Sequence, residues 1–398
     1  MTGFQHLSWL IKALALFLLK AGRRILLKHV FLLMSVCVLA LTGCFSGEQE
    51  SQPLPERLAQ TPEKRDVPPA FFSGSDVIPI TDNAQRYLEV ADWFDDQSIL
   101  YITDEVEGSV VYRYQLLTGE QSLFFQVEEP IVAVSSNDAK SLFAIQTVTN
   151  EGDAPVYLVN EQGELQMKLE ELGEDFSLYW NPYNEQELIA VAFLPDWEQD
   201  IYDIDVAARK IMPLNLNQSY LQWVNRDTIA YLEWDEFEPS FSAPLYSYDI
   251  ETEEESLWLE DIIAFIGYGT DVSLTVSVSS PYDAYSLYRF YEGQEPVAEL
   301  EVPILNTYSE QWWIPFHDFD EKNGIFYYLR PKENGDFFDY NQGYSLMAFN
   351  VENGSETHVM EIADHLPILV SPSGKWLLYG SSFETVIDLE EKLSTALF

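Results

Sequence analysis

The chain has 398 residues, a formal net charge of −45, 14% aromatic residues and two cysteines. Such an excess of acid opposes binding to nucleic acid, whose phosphates are neutralised with Lys and Arg, and opposes adsorption to anionic lipid. The length allows a core large enough to stand without disulfides.

Residues 1–43 read as a signal-peptide region. Arg23, Arg24 and Lys28 form a basic patch, and an apolar run from about Val30 to Leu41 follows. That run has the length of a secretory h-region and is short for a bilayer span. Leu41-Thr42-Gly43-Cys44 then resembles the bacterial lipobox, in which small residues precede a cysteine that receives a diacylglyceryl group. Cys44 is therefore the expected lipidation site, and two acyl chains suffice for stable anchoring. The expected location is the outer side of the cell membrane, with Phe45 in place of the aspartate associated with inner-membrane retention. The earlier apolar stretch "FQHLSWLIKALALFLLK" reads either as a membrane hairpin or as sequence upstream of a true start near Leu27. Cys37 lies inside the h-region, and no cysteine follows Cys44. Beyond Cys44, 66 Asp and Glu stand against 16 Lys and Arg, a net charge of −50.

Residues 44–85 are rich in Gln, Glu, Ser and Pro and read as a tether. From residue 86 to 398 a repeat takes over. One unit reads "SILYIT", then "VVYRYQL", "TGE" and "QSLFFQV"; later units read "TIAYLEW … APLYSYDI-ETEE-ESLWL" and "GIFYYLR … YSLMAFNV-ENGS-ETHVM". A short apolar strand precedes each. Four strands per unit, β-branched and aromatic residues in alternation, and a period near 40–45 residues predict an all-β propeller. Seven units start near residues 88, 130, 176, 219, 262, 312 and 366. Six blades remain if one unit is an insertion, and a β-sandwich is the weaker alternative. The last unit either completes a blade alone or shares one with "DVIPIT" (76–81), closing the ring and hiding its edges. Most Trp, Tyr and Phe are expected between blade faces.

"SPSGKWLLYGS" (371–381) resembles the strand-turn-strand signature of TolB-like and WD40-like repeats, and "NPYNEQELIAV" (181–191) is a variant of it. Taken with the lipobox, the tether and the acidic aromatic repeats, the chain resembles the YqgU-like lipoproteins of Bacillus and related Firmicutes. The resemblance implies a propeller described as six-bladed, against the seven units counted. It implies no assigned reaction and no catalytic residues.

No Gly-x-Ser-x-Gly elbow, metal-ligand pair or phosphate loop occurs; "GYGTD" (267–271) lacks the spacing of the last. His317 beside Asp318 reads as a structural or surface residue. The loops joining the second and third strands of four units mix carboxylates with aromatics. Asp196, Trp197, Glu198, Trp234, Asp235, Glu236, Asp283, Asp336 and Asp339 are the candidate ligand face, expected to surround one mouth of the channel. None matches an EF-hand spacing; no cofactor is expected, calcium on this face being the one open alternative. The expected function is a monomeric, lipid-anchored binding or scaffold protein, without catalytic activity, for an envelope protein, a glycan or a cationic ligand. The rivals are a propeller glycan lyase or hydrolase using loop carboxylates as acid and base, and an envelope assembly factor.

Overall fold

The computed structural model describes residues 76–80, 88–195, 198–235, 240–269, 271–280, 282–306 and 314–398. The lipobox and most of the tether therefore lie outside the described residues. Among the described residues stand seven antiparallel four-stranded sheets, arranged as the blades of a propeller. Blades 1 to 7 span residues 88–127, 131–169, 175–214, 222–262, 264–303, 317–362 and 368–396. The blade count and starting points agree with the repeat seen in the sequence. A two-residue parallel pairing, Leu305–Asn306 with Gly335–Asp336, stands apart from the blades.

Position within a blade decides each strand's sequence. The first strands of neighbouring blades lie side by side and line the channel, as those of blades 1 and 2 do. Second strands are covered on both faces: Ile99, Leu100, Tyr101 and Ile102 of blade 1 are all buried. This is why they read as continuous apolar runs rather than alternating ones. Fourth strands form the rim, and Gln121–Val127 is mostly exposed.

The core is divided among seven hydrophobic clusters, one between each pair of neighbouring blades. The cluster between blades 7 and 1 closes the ring. It contains Trp93 and Tyr101 from blade 1 with Trp376 and Val386 from blade 7. Trp93 stacks on Trp376 with centroids 6.5 Å apart. Blade 7 supplies all four of its own strands. Yet Val77 and Ile80, assigned above to the tether, are buried in the same cluster. The amide of Ile78 donates to Leu116 O at 2.8 Å and that of Ile80 to Leu397 O at 2.7 Å. The segment thus fastens the end of blade 7 to blade 1 without forming a strand.

The turn between third and fourth strands carries one residue with positive φ in every blade: Gly119, Gly163, Arg209, Glu253, Gly293, Gly354 and Lys392. A left-handed residue there matches the twist of the hairpin. Glycine adopts it freely, whereas Arg209, Glu253 and Lys392 do so against the steric preference of L-residues.

Candidate functional site

Alternating strand direction places the 1–2 and 3–4 turns of every blade at one end of the propeller. The 2–3 loops and the blade-to-blade connections lie at the other end. The two ends differ in what they bring together.

The 1–2 end is tightly stitched. A short polar residue closes the turn after most first strands. Asn137 Oδ1 accepts from the amides of Ser141 and Leu142, at 2.9 and 3.1 Å, and its Nδ2 donates to Glu185 O of the next blade. Asn181 likewise accepts from the amide of Tyr183 and donates to Arg226 O of blade 4. In the segment 371–381, Ser371 Oγ accepts from the amide of Trp376 at 3.0 Å. The propeller-like motifs of the sequence are therefore turn caps, and asparagine or serine suits them because a short side chain can satisfy local amides.

Carboxylates extend this stitching along the channel wall. Asp92 Oδ2 in blade 1 accepts from the amide and hydroxyl of Ser136 in blade 2, at 2.9 and 2.6 Å. Its Oδ1 accepts from Lys140 Nζ at 3.0 Å. Asp318 Oδ2 in blade 6 accepts from the amide of Val370 in blade 7 at 2.6 Å. Burial pushes the Asp318 carboxyl up to about 6, the two backbone donors and Lys140 opposing it.

Two further carboxylates reach this mouth from separated blades, Asp138 from blade 2 and Glu321 from blade 6. A Cβ placed on Gly269 of blade 5 would lie 2.9 Å from Asp138 Oδ2, 2.9 Å from Pro182 Cβ of blade 3 and 3.1 Å from Glu321 Oε1. Turns of four blades thus converge on one point, and only the missing side chain of Gly269 leaves room there. The Gly269 amide donates to Glu321 Oε1 at 3.3 Å. Asp138 has no hydrogen-bond partner among the described residues. Both carboxylates remain open to water, yet enough protein surrounds them that desolvation dominates their titration, as in a concave mouth. Burial and the nearby Asp138 charge push Glu321 up to about 7, and burial raises Asp138 while Lys140 opposes it. Tyr268, stacked on Phe319 at 4.4 Å, has a buried hydroxyl with no partner among the described residues. Asp92, Asp138, Asp318 and Glu321 share one lysine, Lys140, which is paired with Asp92.

The candidate face predicted from sequence lies at the other end. Cys44, Asp196, Trp197 and Glu236 fall outside the described residues. Glu198, Asp235 and Asp339 are exposed, and Trp234 is 43% exposed. Asp283 accepts from the amides of Ser279 and Ser280, and Asp336 from the amide of Phe338, so each holds its own loop in shape. The described hydrogen bonds of Asp283 and Asp336 stay within their own loops. Among the described residues no three His, Cys, Asp or Glu side chains are grouped as ligands of a metal would be. His317 is half-buried with Nδ1 2.9 Å from Pro315 O, and His365 Nε2 accepts from the amide of Phe316, burial pushing its pKa down to about 4. The convergence of Asp138 with Glu321 escaped the sequence, because each sits in an ordinary turn. The one local hint was the glycine in "GYGTD".

A chain from Bacillus subtilis (strain 168) named "Uncharacterized lipoprotein YqgU" is 24% identical over 360 residues, covering 90% of this chain and 94% of that one. Among solved structures, an uncharacterized protein of Listeria monocytogenes EGD-e superposes with a TM-score of 0.73 at 19% identity, over 81% of this chain and 98% of its own. An oligogalacturonate lyase from Vibrio parahaemolyticus superposes with a TM-score of 0.54 at 10% identity, over 77% and 90% of the two chains. At such identity these structures share the fold alone. The model of the YqgU-like 6-bladed beta propeller domain matches residues 115–380. That span holds blades 2 to 6 entire, with the last strand of blade 1 and the first two of blade 7, so the seven sheets exceed the six in the family's description. Two-thirds of the chain is matched, and the chain belongs to the YqgU-like β-propeller family.

Proposed function

We propose that this protein is a lipid-anchored binding protein of the cell surface whose 1–2 channel mouth takes a cationic group. The observation that supports the ligand class is the convergence of Asp138 and Glu321 on one point beside Gly269, with too few cations nearby to balance the carboxylates. An ammonium group placed there relieves like-charge repulsion in a partly desolvated site, where Coulomb terms exceed those in bulk water. The anchoring half of the reading is supported by the lipobox-like order ending at Cys44 and by the name lipoprotein borne by the Bacillus relative.

The test is thermal unfolding of the protein with putrescine or calcium, each compared with sodium at matched ionic strength. A ligand that binds only the folded state raises the melting temperature by mass action. Putrescine is expected to raise it beyond sodium, and the double variant Asp138→Asn, Glu321→Gln to lose that difference. Equal effects of all cations would show general screening of the acidic surface and remove the basis for the ligand class.

A further inference from the structure

We infer that the opposite end of the propeller docks a polypeptide through a basic side chain, and that the receiving groove lies on blade 1. The groove is an open cavity of about 620 Å³ lined by Val106, Glu107, Gly108, Gln126, Val127 and Glu128. It is built where the 2–3 loop crosses the end of the fourth strand. Gly108 makes the crossing possible: its φ is 129°, and a Cβ there would sit 2.1 Å from Val127 O and 2.7 Å from Glu128 Cα. The lining is apolar at Val127 and, at its solvent-exposed rim, at Val106, and acidic at Glu107 and Glu128. Neither glutamate is in an ion pair among the described residues. A Lys or Arg side chain matches this lining, since its methylene stem covers apolar surface while its charged end stays at the wet rim.

Two further observations favour a polypeptide over a small amine. Large apolar side chains stand exposed in the 2–3 loops of four blades: Val106 (99%), Trp234 (43%), Tyr282 (91%) and Phe338 (64%). Isolated exposed apolar residues are ordinary, but these recur in one loop position and share one end of the propeller. Charge on that end is one-sided. The described 2–3 loops contain a single basic residue, Lys332, which is paired with Glu361. Exposed aromatics among carboxylates suit a basic chain, which gains cation–π contacts and long-range steering together.

This proposal is independent of the channel site, and one experiment separates the two. Isothermal titration of the protein with a penta-lysine peptide, and with penta-serine as a neutral control, is compared across variants at fixed ionic strength. Glu107→Gln with Glu128→Gln is expected to weaken penta-lysine binding about tenfold, and Val106→Ser to weaken it further. Asp138→Asn with Glu321→Gln removes the putrescine response and the channel mouth's own share of ammonium binding, and in that background the Glu107/Glu128 loss is expected to persist. Wild-type affinity in the Glu107/Glu128 variant would overturn the groove, as would equal binding of penta-serine.

Discussion

The indole N–H of Trp93, in blade 1, donates to the carbonyl of Leu369, in blade 7, at 3.1 Å. It is one of the few directional contacts across the ring closure. Trp223 makes the same bond to Tyr179 O between blades 4 and 3, at 3.0 Å. The difference is topological. Blades 3 and 4 are also joined by the chain, whereas blades 7 and 1 meet only through packing and hydrogen bonds. Trp93→Phe should therefore cost about 1 kcal/mol through the lost hydrogen bond, and Trp93→Ala about 3–5 kcal/mol through the added cavity. Urea denaturation measures both. A Trp93→Ala loss below 1 kcal/mol would mean that the closure contributes little.

The channel mouth predicts a pH dependence with a definite sign. Glu321 and Asp318 have folded-state pKa values pushed up to about 7 and about 6, above their unfolded values near 4. Between those limits the folded state holds more protons than the unfolded one, so stability from these groups falls as pH rises. Their contribution is most favourable below about pH 4 and is lost by about pH 7. Melting temperatures measured from pH 5 to 8 should fall more steeply for the wild type than for the Asp138→Asn, Glu321→Gln variant. Parallel curves would show that this pair does not titrate as described.

Gly269→Ala should act on ligand and also cost stability, because its Cβ would lie 2.9 Å from Pro182 Cβ, a ring atom that cannot swing aside. Its φ lies outside the left-handed region, so alanine brings no backbone strain there. Its new methyl group would occupy the point on which Asp138, Pro182 and Glu321 converge. The expected result is loss of the putrescine-specific rise in melting temperature. Retention of that rise would place the cation elsewhere.

The third-to-fourth-strand turns predict stabilising and destabilising changes at equivalent positions. Arg209 is exposed with φ 55°, and Arg209→Gly should stabilise by up to about 1 kcal/mol, steric relief being partly offset by chain entropy. Gly163→Ala should destabilise, because its Cβ would lie 2.0 Å from Phe124 O at a φ of 74°. Chemical denaturation of both variants reads the contrast directly. Opposite signs would refute the shared role of the seven turns.

Cys44→Ala should release the protein from the membrane or leave its signal uncleaved. Mass spectrometry of the mature N-terminus checks this. An N-terminus at another residue, without acyl mass on Cys44, would remove the anchor.

Blade number and boundaries were legible in the sequence because they rest on local patterns. A buried second strand such as Ser98–Glu105 must be apolar on both faces, and a hairpin such as that ending at Gly119 needs a left-handed residue. Both constraints act within a few residues, and both repeat seven times. From sequence, Asp283 and Asp336 belong to a candidate ligand face; in the structure each accepts from amides of its own loop. The segment "DVIPIT" reads from sequence both as the end of the tether and as a ring-closing strand; only the closed ring supplies the cluster that buries Val77 and Ile80 outside any strand. The pairing of Asp138 with Glu321 could come from tertiary structure alone. They lie 183 positions apart, in turns whose local sequence serves hairpin geometry. Curvature of the ring carries the turns of blades 2, 3, 5 and 6 to one point, and no short-range pattern encodes that convergence.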